Sequence, residues 1–80
     1  MRLPRDLSGA DLIRALGKVG YEATRQSGSH VRLTTMTPTE HHITVPLHDP
    51  LRIGTLASIL SAVAAASGRS RDELLDDLFG

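Results

Sequence analysis

Cysteine is absent from this 80-residue chain, tryptophan is absent too, and Tyr21 and Phe79 are its only aromatic side chains. Without cysteine there is no disulfide framework and no thiolate metal site, a composition that fits a reducing compartment. With two aromatics the chain cannot lay out the stacking platform on which many single-strand binders seat successive bases. Long apolar runs are missing as well. No stretch approaches the roughly 20 apolar residues that cross a bilayer, and the opening Met1-Arg2-Leu3-Pro4-Arg5-Asp6 lacks the apolar core of a signal peptide. The expectation is a soluble, cytoplasmic protein with no membrane partner. The length allows one domain, 1–80, with a core over about 8–66 and a helical extension over 70–79. A chain this short buries only about 60–65% of its unfolded surface, which leaves no room for an enclosed cavity. Any chemistry must sit on an open surface or be completed by a partner.

Nine Lys/Arg balance nine Asp/Glu, but the acids gather late. Asp72, Glu73, Asp76 and Asp77 lie beyond Arg71, so the chain up to that point carries nine bases against five acids, +4 by subtraction. A modestly basic body suits phosphate contact without the steep salt dependence of a dedicated duplex binder.

Ser8-Gly9-Ala10-Asp11 reads as a helix start, the Ser8 hydroxyl accepting a free amide proton and Asp11 facing the positive end of the dipole. Leu12, Ile13, Leu16 and Val19 then form an apolar stripe at helical spacing, closed by Gly20. From Tyr21 the period drops to two. Tyr21 and Ala23 alternate with Glu22, Thr24 and Gln26; Val31 and Leu33 with His30, Arg32 and Thr34; Ile43, Val45 and Leu47 with His42, Thr44 and Pro46. Three short antiparallel strands follow, each with one apolar face, joined by the Gly28-Ser29 turn and a looser connection containing Pro38. Past Asp49-Pro50, Thr55 is expected to cap a helix over Leu56 to Ala66, ended by Gly68. Ser70-Arg71-Asp72-Glu73 opens a last short helix as a capping box. The fold class expected is α+β, in the order α-β-β-β-α, with helices on one face of the sheet and the other face wet. That order resembles the double-stranded-RNA-binding-domain fold.

His30 stands at the first position of the second strand, behind a turn that contains nothing bulky. Its parity, shared with Arg32 and Thr34, points away from the helices. An exposed imidazole is a ready proton acceptor near neutral pH. RNA carries its own nucleophile, the 2′-hydroxyl, so a base that removes that proton promotes attack on the adjacent phosphate and leaves a 2′,3′-cyclic phosphate and a 5′-hydroxyl end. Arg32 is placed to neutralise the charge that develops on the phosphorane, with Arg25 and Lys18 as phosphate contacts. On the residues alone, a polar residue at a strand start is the favoured reading of His30. His41, His42 and His48 raise the alternative of a metal site, but adjacent strand residues point to opposite faces, so His41 and His42 cannot join one site there. The Gly54-Thr55-Leu56 helix start offers free N–H groups to an anion, or simply caps the helix.

Gly28-Ser29-His30, the strand end Val45-Pro46-Leu47-His48, and Gly54-Thr55-Leu56-Ala57-Ser58-Ile59-Leu60 at a helix start resemble, in that order and spacing, the HicA (YcfA-like) family of small messenger-RNA interferase toxins. The resemblance runs from about Ser8 to Leu60. It implies the double-stranded-RNA-binding-domain fold, a ribonuclease without a cofactor or metal, and His30 as the catalytic residue. Gly28, Ser29, Arg32, Arg25, Lys18 and His48 are the residues expected to bind RNA or phosphate, His48 being either a second proton carrier or a phosphate contact. It also implies a cognate HicB-type antitoxin in a hetero-oligomer that covers the site and regulates its operon. Two features depart from the family pattern: Lys18 is the only lysine, and the segment after Leu60 is longer, richer in alanine and more acidic. A non-catalytic RNA- or protein-binding module on the same fold is the alternative.

Overall fold

Ser8 opens the first helix, α1 (Gly9–Gly17), as its side chain dictates. Its hydroxyl accepts the Asp11 N–H at 3.0 Å while its own N–H donates to the Asp11 carboxylate at 3.3 Å, so two otherwise orphaned amides are satisfied reciprocally. The computed structural model describes residues 3–80. After α1 come β1 (Glu22–Ser27), β2 (His30–Thr35), β3 (His41–Pro46), α2 (Ile53–Ser67) and α3 (Arg71–Phe79). The strands form one antiparallel meander in the order β1-β2-β3. This is the α+β order expected, the last short helix included as α3.

The core lies between the sheet and the three helices. Leu12 and Leu16 of α1, Leu33 and Val45 of the sheet, Leu56, Leu60 and Val63 of α2, and Leu74 and Leu78 of α3 are all buried. Each such side chain contributes roughly 1.5–3 kcal/mol relative to exposure. α3 is tied in twice, by its leucines and by the Lys18 Nζ, which donates to the Leu78 carbonyl at 3.1 Å. α1 contacts β1 and β3, α2 contacts β3, and α3 packs on α1 and α2.

Three expectations are corrected. Every residue of β1 is exposed, Ala23 included, and Tyr21 is buried only because it precedes the strand. β1 is an edge strand whose main helical contact is α1, so its inner face goes largely uncovered. At the end of β3, Pro46 is buried where parity placed it on the wet side, and Leu47 is exposed. The chain turns out of the sheet there: Leu47 N–H donates to the Ser29 carbonyl, and the His48 carbonyl accepts the Gly9 N–H at 2.9 Å. Finally, α2 starts at Ile53, with Arg52 at the cap and no side-chain cap bond, so Thr55 lies inside the first turn instead of capping it. Buried Leu51 anchors the approach, and a first turn tolerates glycine and threonine because its amides have no helical partners to lose.

Candidate functional site

The open face of the sheet carries the exposed polar side chains of the three strands. Ser27 pairs with His30 across a two-residue Gly28-Ser29 turn, where Gly28 has φ +57°, the left-handed conformation that glycine adopts without strain. Gln26 Nε2 donates to the Gly28 carbonyl at 3.1 Å and braces the turn. His30 thus begins β2 between Ser27 on one side and Pro46 on the other, neighbours too small to cover it. The imidazole is exposed and makes no hydrogen bond or ion pair among the described residues.

Arg32 lies two residues along, on the same face, about 7 Å away by strand rise. Its partner across β1 is Arg25. Simple alternation from Ala23 would turn Arg25 toward the helices, but the register slips at Thr24. A bulge of this kind sets two residues of one strand against one of its neighbour and re-aims side chains. Thr24 and Arg25 therefore both face outward, Thr24 Oγ1 lying 2.9 Å from Thr34 Oγ1 and 3.4 Å from the Arg32 carbonyl, to which it donates.

Beyond Arg32 the face ends in a hydrogen-bonded chain. His42 pairs with Thr34 across β2–β3; its Nδ1 is 2.8 Å from Thr34 Oγ1 and its Nε2 is 2.8 Å from the Glu40 carboxylate. Thr24, Arg25, Arg32, Thr34, Glu40 and His42 line one shallow depression of about 440 Å³. His41 turns the other way, its Nδ1 2.8 Å from the hydroxyl of buried Tyr21, whose ionisation burial pushes upward. Among the described residues no group of three His, Cys, Asp or Glu could hold a metal ion.

The sheet brings His30, Arg32 and Arg25 together on one face, with Gly28 and Ser29 at its edge. Lys18 is not with them: it sits at the end of α1 in the helical layer, its ammonium engaged by α3. His48 follows β3, exposed, with a backbone role at the α1 start and no side-chain partner among the described residues. The group unforeseen from sequence is Glu40, His42, Thr34 and Thr24. The parity of Thr34 and His42 was readable from the alternation in their strands, but the register that sets them opposite each other was not.

The family model described as HicA toxin of bacterial toxin-antitoxin matches residues 9–64. No curated protein and no solved structure matches the chain. The matched stretch takes in the whole open face and stops before α3.

Proposed function

The chain belongs to the HicA toxin family of bacterial toxin–antitoxin systems, and from that premise we propose that it is a metal-independent ribonuclease that cleaves messenger RNA with His30 as general base. The observation that carries this reading is the state of His30: an exposed imidazole with no partner among the described residues, flanked by small neighbours, with Arg32 on its own face. A free imidazole nitrogen takes the proton of an RNA 2′-hydroxyl. The oxygen attacks the adjacent phosphorus, the bond to the 5′-oxygen breaks, and that oxygen collects a proton from water or from His48. Arg32 stabilises the added negative charge as it forms. Family membership implies an antitoxin partner; we assign that role to an acidic HicB-type protein covering the open face at its exposed Arg25 and Arg32.

The test is His30→Ala, compared with wild type for RNA cleavage and growth inhibition. Loss of both, with unchanged circular dichroism and melting, is expected. A variant that cuts at an undiminished rate removes His30 from the chemistry. A variant that still binds RNA as wild type does, with neither protein cutting it, points to the non-catalytic binding module instead.

A further inference from the structure

Arg25 and Arg32 are cross-strand partners on an exposed face, and neither has an acidic partner among the described residues. Like charges set directly opposite destabilise a sheet. Here the bulge at Thr24 is what turns Arg25 outward to face Arg32, so the fold goes out of its way to assemble the repulsion. Bulges recur beside functional sites for this reason. The depression they line holds two arginines against one glutamate, and Glu40 is already bonded to His42. His42 has both ring nitrogens engaged, by Thr34 and by Glu40, and its side chain is 35% exposed. What a ring so held still offers a ligand is its face.

We propose that this depression is a nucleotide subsite for single-stranded RNA beside His30, in which Arg25 joins Arg32 in gripping the phosphate nearest His30 and the clamped His42 ring stacks on the neighbouring base. Guanidinium pairs match phosphate oxygens through parallel N–H bonds, and stacking on histidine is a common way to seat an unstacked base. The subsite rests on the reading of the chain as an RNA enzyme and adds a second point of attachment, which fixes the strand while His30 acts. It also gives the like-charge pair a compensating partner, since a bound phosphate relieves the repulsion.

The experiment uses a labelled single-stranded 2′-O-methyl RNA oligomer, which has no free 2′-hydroxyl and cannot be cut, titrated by anisotropy at several salt concentrations. Arg25→Gln and Arg32→Gln are each expected to weaken binding about tenfold. The double variant should flatten the slope of log affinity against log salt by about 0.7, one single-strand phosphate contact's worth. Neither substitution should lower the melting temperature, and at low salt either should raise it, because the repulsion is gone. His42→Phe keeps a stacking face and should bind within about threefold of wild type, whereas His42→Ala should lose about tenfold. An unchanged affinity and salt slope in the double variant overturns the proposal, as does equal loss in His42→Phe and His42→Ala. If the double variant binds RNA normally but no longer holds the antitoxin, the arginines are a protein-docking pair and the subsite is again overturned. A wild type that binds the oligomer yet leaves ordinary RNA intact defeats the catalytic reading and leaves the subsite standing.

Discussion

A methyl group at Gly9 would overlap the Pro46 carbonyl oxygen, whereas one at Gly17 would meet nothing within 4 Å. The two glycines belong to one helix and call for opposite substitutions. Gly9 is buried where α1 crosses the end of β3, its N–H given to the His48 carbonyl, so Gly9→Ala forces strand and helix apart at the edge of the candidate site. A loss of about 1–3 kcal/mol is expected, as for overpacking generally. Gly17 lies in the last turn of α1 with open space around it, so Gly17→Ala should gain roughly 0.5–1 kcal/mol from reduced freedom of the unfolded chain. Urea denaturation of both variants checks the pair. At His30 the expectation is chemical: a neutral imidazole acting as base makes single-turnover cleavage depend on pH. A flat profile from about pH 5 to 9 would exclude histidine base catalysis.

Helices α1 and α3 open with the same device, a serine and an acid three residues later, each bonded to the other's backbone. The Asp11 carboxyl is held below its ordinary value first by the Ser8 backbone N–H and then by the Ser8 hydroxyl; Glu73 is lowered in the same way by Ser70. Because both folded values lie below the unfolded ones, the caps stabilise the fold above the ordinary carboxylate range, near pH 4, and that contribution disappears as pH falls through the depressed values. The melting temperature should therefore drop on acidification from about pH 5 to pH 2, and Asp11→Asn with Glu73→Gln should flatten that drop. A second expectation at this scale concerns α3. It lies beyond the family match, yet Leu74 and Leu78 are among the most buried side chains in the chain. Leu78→Ala should cost about 2–5 kcal/mol through the cavity left behind. An acidic tail that was merely solvated would show no such loss on denaturation.

Over the whole molecule the acids are unevenly spread. Four of the nine acids fall on α3, while the open face, uncovered by any helix among the described residues, holds His30, Arg25 and Arg32 beside Glu22 and Glu40. Expression with the antitoxin proposed above should yield a complex in which the partner blocks RNA, and raising the salt concentration should weaken it. Toxicity-free expression of the chain alone at high level would speak against an active toxin. On the proposed mechanism RNA supplies the nucleophile, so cleavage should survive excess chelator and fail where the nucleotide at the cut carries 2′-deoxyribose. Loss in chelator with recovery on adding zinc or magnesium would point to metal chemistry instead.

Local signals sufficed wherever the governing interaction was local. Both capping boxes, the left-handed Gly28, the alternation that turns His30 and Arg32 outward, and the element order are written in neighbouring residues, because caps, turns and strand faces are settled within a few positions of the chain. The family resemblance was equally legible, carried by three short motifs. What pattern could not reach was anything that depends on a second strand or on which helix covers what. The bare inner face of β1, the burial of Pro46 and the early start of α2 follow from how the layers meet. The bulge at Thr24 is the clearest case: one slipped register point reverses the parity of Arg25 and sets it opposite Arg32. The joining of Glu40, His42, Thr34 and Thr24 likewise exists only once β3 is in register with β2. Period-two alternation fixes which way a side chain points relative to its neighbours on the strand, but which residue it meets is decided by pairing across the sheet, and that is a property of the folded chain alone.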